Sequence, residues 1–172
     1  MTREITECRS CKSPKLTSVL SLGELAVINM GDKEPLKSPL ELVFCENCTL
    51  LQQKHTVDPE YLFRNYYYKS GVNRTMRNEL RDIVESAMKR VRLGADGVLV
   101  PDIVIDVGAN DGTLLSFYPS HVRKVGFEPA MNLQGENAGP DITIIPDFFS
   151  ADSYFKLFKG GRRAKIITAI AM

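Results

Sequence analysis

Over residues 1 to about 61 the apolar positions come in short runs such as LELVF (40–44), punctuated by Gly23, Gly31, Pro35 and Pro39. Runs that short between turn residues predict a small, loop-rich unit without long periodic elements. The pattern changes at Asn73. Met76, Leu80, Ile83, Val84, Ala87, Met88 and Val91 recur at spacings of three and four, which predicts one amphipathic helix over 73–93 with Asn73 as N-cap and Gly94 as stop. After Pro101 apolar runs alternate with helical ones. IVIDV (103–107), KVGFE (124–128), ITII (142–145) and KIITAIAM (165–172) read as strands; GTLLSFY (112–118), AMNLQGENA (130–138) and ADSYFKLF (151–158) read as helices. That alternation predicts a parallel sheet with right-handed crossovers. The expected domains are therefore a small unit at 1–70, a connecting helix at 71–95 and an α/β unit at 96–172.

Composition narrows the classes. The chain has 172 residues, is 44% hydrophobic, and sets 22 Lys and Arg against 21 Asp and Glu. A packed core is affordable in length and composition, and no global field would draw the chain to nucleic acid or an anionic membrane. The N-terminus lacks the apolar core of a signal peptide, and no run approaches the roughly 18 residues of a membrane span. A cytoplasmic protein is expected, with neither nucleic acid nor membrane as partner.

The four cysteines fall as two pairs, CRSC (Cys8, Cys11) and CENC (Cys45, Cys48). Each pair sets two thiolates one tight turn apart, and two such knuckles complete a tetrahedron around one ion. Four sulfurs leave no position for water, so structural zinc is expected. Two disulfides, four unrelated thiols or a redox pair are the rival readings, though neither pair sits in a strand-to-helix turn. His55 and His121 are expected to be surface or packing residues.

VIDVGANDG (104–112) carries an acid at a strand end and a polar turn with two glycines. Such a turn at the carboxyl end of a parallel strand leads into a helix whose free N–H groups would face a ligand, and Gly108 would let the backbone approach it. GANDG lacks the third glycine of a dinucleotide fingerprint, which weakens a nicotinamide reading. A cofactor with adenosine and no pyrophosphate fits better. S-adenosylmethionine is such a cofactor: Asp106 and the turn (Gly108, Asn110, Asp111) would meet its amino acid end. Glu128, followed by Pro129, would accept from the ribose diol, and Asp147, followed by Phe148, from the adenine amino group. The bland alternative is an ordinary turn in which Asn110 and Asp111 cap the helix.

With the cysteine pairs in front, LGELAVINM (22–30), CENCTLLQQ, YLF (61–63), YYYKS (66–70), VIDVGANDGTLL, GFEPA and PDFFS follow in order. In that order the sequence resembles the sugar C-methyltransferase family. The resemblance implies an N-terminal zinc-binding domain followed by the first half, strands one to four, of a Rossmann-like S-adenosylmethionine-binding sheet of order 3-2-1-4-5-7-6. It implies a nucleotide-linked keto-deoxysugar as substrate, deprotonated beside the ketone and methylated through its enolate. Tyr68, with Tyr66 second, matches the assisting tyrosine, and Ser70 a substrate contact. Lys69 and Gly71 stand where the commoner family pattern has an aromatic and a serine, which puts the substrate in doubt. The family's catalytic histidine and glutamate region would follow the fourth strand. The chain is therefore expected to be the truncated front part of a longer enzyme, inactive alone, with the exposed edge of its fourth strand offering a route to self-association. The competing classes are a zinc-ribbon module binding nucleic acid or protein, supported by KGGRRAK (159–165), and a nicotinamide-dependent sugar nucleotide oxidoreductase.

Overall fold

The computed structural model describes residues 2–27, 34–94, 97, 99–133 and 139–170. The chain divides into two compact units, Met1–Tyr66 and Tyr67–Met172.

The first unit is built of strands. β1 (Thr2–Glu4) pairs antiparallel with β5 (His55–Val57), and β3 (Lys37–Cys45) lies between β2 (Leu16–Ala26) and β4 (Leu51–Gln53). A short helix, α1 (Pro59–Phe63), follows, N-capped by Asp58. The long β2–β3 pair replaces the loop-rich unit that the sequence predicts. Two register shifts, between Ser18 and Leu20 and between Ser21 and Glu24, break the alternation by which a strand is recognised. Nearly all of β2 is exposed, Val19, Leu20, Leu22 and Leu25 included. Its side chains carry no burial pattern to read. Part of the LGELAVINM stretch, residues 28–30, lies outside the described residues.

The second unit is a four-stranded parallel sheet in the order β8-β7-β6-β9, formed by β6 (Ile103–Val107), β7 (Arg123–Phe127), β8 (Ile142–Ile145) and β9 (Ile166–Ala169). Alternate residues of β6 serve two cores. Val104 faces one core with Leu80 and Val84 of α2 (Arg74–Arg90) and with Leu114 and Leu115 of α3 (Thr113–Ser116). Ile103 and Ile105 face the other, with Phe127, Phe158 and the partly buried Leu157 of α4 (Ala151–Leu157). Helices thus cover both faces, which is why the strands read as near-continuous apolar runs.

Asn73 caps α2 as the sequence predicts, accepting from the N–H groups of Thr75 and Met76. The helix ends at Arg90 with an extended Val91, earlier than predicted, and the Gly94 N–H donates instead to Asp102 at 2.6 Å. The helix predicted over 130–138 is only a turn at 131–133, with residues 134–138 outside the described set. The unit boundary also falls before residue 70, because residues 68–71 are hydrogen-bonded to the turn after β6. No helix among the described residues is long and apolar enough to cross a membrane.

Candidate functional site

The cysteine pairs form two turns with the same backbone pattern. Cys8 N–H donates to Ser13 C=O and Cys45 N–H to Leu50 C=O, while Lys12 N–H returns to Cys8 C=O and Thr49 N–H to Cys45 C=O. Lys12 and Thr49, each next to the second cysteine of its pair, adopt left-handed conformations (φ 61° and 62°) that fold the chain back. The four sulfurs lie within 4.8 Å of one another, with Cys8–Cys48 and Cys11–Cys45 both at 3.6 Å, and none is in a disulfide. Four sulfurs about 2.3 Å from one zinc ion would stand about 3.8 Å apart. The donor set fits that ion.

Side-chain amides complete the site. Gln52 Nε2 donates to Cys8 Sγ at 3.2 Å and Asn47 Nδ2 to Cys11 Sγ at 3.5 Å. Gln52 is buried and is itself held by Arg9, whose backbone N–H donates to Gln52 Oε1 at 3.1 Å. The Cys11 backbone N–H, aided by Gln52, brings the Cys8 thiol down to about 6, and Asn47 lowers Cys11. At Cys48 the Leu50 backbone N–H lowers the thiol, but the Cys11 sulfur and burial outweigh it and push it up to about 12. Four sulfurs this close cannot all ionise without a cation between them. Neither Gln52 nor Asn47 was singled out from sequence as a partner of the sulfurs; Asn47 stands inside CENC, and Gln52 had no spacing signal. His55 stands apart from the cluster, with Nε2 3.3 Å from Glu41.

The second site lies at the carboxyl end of β6. Asp106 is directly opposite Thr168 of β9, and Thr168 Oγ1 donates to Asp106 Oδ1 at 2.6 Å. β6 connects to a neighbour on one side and β9 arrives on the other, so this pair marks the point where the strand order reverses. Burial, with the charge of Glu128 adding to it, raises Asp106 to about 7 against the opposing Thr168 hydrogen bond. Tyr118, buried on the same face and with a hydroxyl that has no partner among the described residues, is pushed up to about 12 by burial and by Asp106. Thr168 was not a candidate from sequence, since its role depends on a strand pairing.

The turn itself is internally satisfied. Gly108 and Ala109 N–H both donate to Phe127 C=O, Asn110 N–H to Glu128 Oε2 at 2.7 Å, Gly112 N–H to Ala109 C=O, and Thr113 N–H to Asp111 Oδ1. The N–H groups expected to face a ligand are therefore already paired. Buried backbone donors need partners, and the turn packs onto β7 to find them. Gly108 (φ 67°) and Gly112 (φ 84°) supply the left-handed conformations, with Asn110 (φ 53°) between them.

Asp106, Asn110, Asp111 and Glu128 are all buried. Glu128 accepts from Asn110 N–H on one oxygen and from Ala130 N–H, at 2.8 Å, on the other. Asn110 and Asp111 bond the main chain of residues 68–71: Asn110 Oδ1 accepts from Ser70 N–H at 3.0 Å, Asn110 Nδ2 donates to Tyr68 C=O at 2.9 Å, and Asp111 Oδ2 accepts from Gly71 N–H at 2.8 Å. Pro129 is buried beside Glu128 in the chain. Asp147 is exposed after β8 and accepts from Phe148 N–H; among the described residues it shares no hydrogen bond with Asp106, Asn110 or Glu128. Tyr68 is 37% exposed, whereas Tyr66 belongs to the first unit, half-buried with its ring 6.2 Å from that of Phe63. In the basic stretch 159–165, Arg162 donates to Pro101 C=O at 2.5 Å and Lys165 pairs with Asp102 at 3.0 Å. Both are in use holding the strand ends.

The family described as "Putative zinc binding domain" matches residues 8–63, a span that contains all four cysteines. Over 157 residues, 87% of its length, the chain is 32% identical to C-methyltransferase NovU of Streptomyces niveus, and it covers 36% of that protein. It thus spans about a third of the curated relative it matches. Residues 8–63 thus match a zinc-binding family model, at the front of a chain that is similar to the N-terminal portion of a C-methyltransferase.

Proposed function

We propose that the chain is part of an S-adenosylmethionine-dependent C-methyltransferase acting on a nucleotide-linked keto-deoxysugar, with its first unit stapled by structural zinc. The observation that carries the cofactor is the position of Asp106: a buried carboxyl where the strand order reverses, at the edge of a parallel sheet where ligands bind. The paired N–H groups of the turn favour the same class, because an adenosyl ligand without pyrophosphate asks for carboxylates rather than an amide cradle. Bound there, S-adenosylmethionine would supply an electrophilic methyl group. Asp106 would meet its amino acid end beside the open backbone of Gly108, and Glu128, with Pro129, has a second lone pair on each oxygen for the ribose diol. Asp147 and Phe148 are the proposed adenine contacts, and the outer edge of β9 is the proposed surface for self-association.

On the substrate side, a base would take the proton from the carbon beside the ketone, and the enolate carbon would take the methyl group as its bond to the sulfonium sulfur breaks, releasing S-adenosylhomocysteine. Tyr68, with Tyr66 second, is proposed to stabilise the developing oxygen charge, and Ser70 to contact the sugar; a hydroxyl donor aimed at an enolate oxygen contributes only in proportion to how well it is held. Photolabelling with S-adenosylmethionine carrying a tritiated methyl group, followed by peptide mapping, tests the site. Label in peptides spanning 104–112 or 124–130 supports it. Label elsewhere, or protection by NADH in place of S-adenosylhomocysteine, contradicts it.

A further inference from the structure

No residue from 67 to 72 is buried, and Tyr67 and Val72 are 58% and 81% exposed. A segment so placed has little apolar burial to hold it, so its position depends on its hydrogen bonds. Three of them come from two adjacent side chains of the glycine turn. Asn110 reads the main chain as a neighbouring strand would, accepting from Ser70 N–H and donating to Tyr68 C=O, and Asp111 adds Gly71 N–H. Two contacts from one amide fix both the position and the direction of the Tyr68–Ser70 stretch.

The same residues are anchored behind. Asn110 is held in its left-handed conformation by its N–H bond to Glu128, and Asp111 by Thr113 N–H. Asp111 has no exposed surface and Asn110 only 9%. Both carboxylate oxygens of Asp111 and both polar atoms of the Asn110 amide already have main-chain partners. Those bonds hold both side chains between the turn and residues 68–71.

We infer that Asn110 and Asp111 are positioning residues that clasp residues 68–71 to the glycine turn, so that a ligand seated on the turn and the Tyr68 side chain are placed by one rigid element. The chain of contacts runs from Glu128 through the Asn110 backbone to its amide and then to the Tyr68 peptide. This inference rests on the proposed function only in taking an adenosyl ligand as the one seated on the turn.

The test uses the 172-residue chain labelled with 3-fluorotyrosine, the Tyr68 resonance being assigned from Tyr68→Phe. Asn110→Gly removes the clasp and keeps the left-handed backbone at no steric cost; Asp111→Asn is the second variant, because it preserves volume while weakening the bond to Gly71. In the parent chain S-adenosylhomocysteine should shift the Tyr68 resonance, and Ser70 and Gly71 amides should exchange slowly. In Asn110→Gly the Ser70 amide should exchange about tenfold faster, as loss of a hydrogen bond of this kind implies. Affinity for S-adenosylhomocysteine should stay within about threefold while the Tyr68 resonance ceases to respond, and Asp111→Asn should speed Gly71 exchange in the same way. Unchanged amide exchange in both variants overturns the clasp. A large loss of affinity in Asn110→Gly with the Tyr68 response retained makes Asn110 a ligand contact and overturns the positioning role. Failure of the parent chain to bind the probe overturns the cofactor reading and the coupling with it, while the exchange rates still decide the clasp.

Discussion

Thr168 on β9 reaches across the sheet to Asp106 on β6, directly opposite it in register, and donates a 2.6 Å hydrogen bond to a carboxyl that burial raises to about 7. A carboxyl raised in the fold keeps its proton where the unfolded chain has lost it, from about pH 4 to about pH 7. Its contribution is therefore present at low pH and lost as pH rises through that window, at up to about 1.4 kcal/mol per pH unit. Asp106→Asn keeps the acceptor for Thr168 and removes the charge. Chemical denaturation from pH 4 to 8 should show a shallower decline with pH in the variant; parallel profiles would mean that Asp106 does not titrate there.

Metal removal should act on the first unit. Chelation is expected to destabilise the Met1–Tyr66 unit, because four sulfurs this close repel one another once the cation between them is removed. Zinc analysis should give one ion per chain. Gln52→Ala should lower zinc affinity by about tenfold, since it strips Cys8 of its amide donor. Competition against a chromophoric chelator measures both, and equal affinities would remove Gln52 from the site.

Gly126 is the position on β7 where the glycine turn comes closest. A Cβ there would stand 2.5 Å from Ala109 Cβ and 2.7 Å from Ile144 Cδ1, and the Ala109 Cβ, fixed to its own backbone, cannot swing aside. Gly126→Ala should cost about 1–3 kcal/mol in urea denaturation through overpacking. An unchanged midpoint would show that the turn does not pack as described.

Lys124 is buried at the start of β7 with Asp141 2.6 Å away, and that contact holds Asp141 below the usual carboxylate range. Removing the acid strands a buried cation, whereas removing the cation with an isosteric apolar chain does not. Asp141→Ala should cost about 2 kcal/mol, reduced from the fully buried case because Asp141 is partly solvated, and Lys124→Met should cost less than 1 kcal/mol, roughly. Equal losses would contradict the pairing.

The parallel sheet was legible because IVIDV is buried on both faces, and the apolar runs IVIDV and ITII match the observed strands with little error. The cysteine site was legible because two turns of fixed length bring their sulfurs together wherever the rest of the chain goes. β2 was not, since bulges and exposure erase its period. Nor was the use of Asn110 and Asp111: both turn-capping and ligand binding fit their types, and only their partners, some forty residues earlier in the chain, reveal that they hold residues 68–71. Thr168 was hidden for the same reason, as a contact sixty-two residues distant in sequence.

The central claim is that the carboxyl end of β6 holds an adenosyl cofactor, and calorimetric titration of the 172-residue chain tests it most directly. S-adenosylhomocysteine should bind with one site per chain, NADH should not bind, and Asp106→Asn, verified as folded by circular dichroism, should weaken binding by about tenfold or more, as loss of a charged partner implies. Binding of NADH in its place, or no binding by a folded chain, would contradict the account.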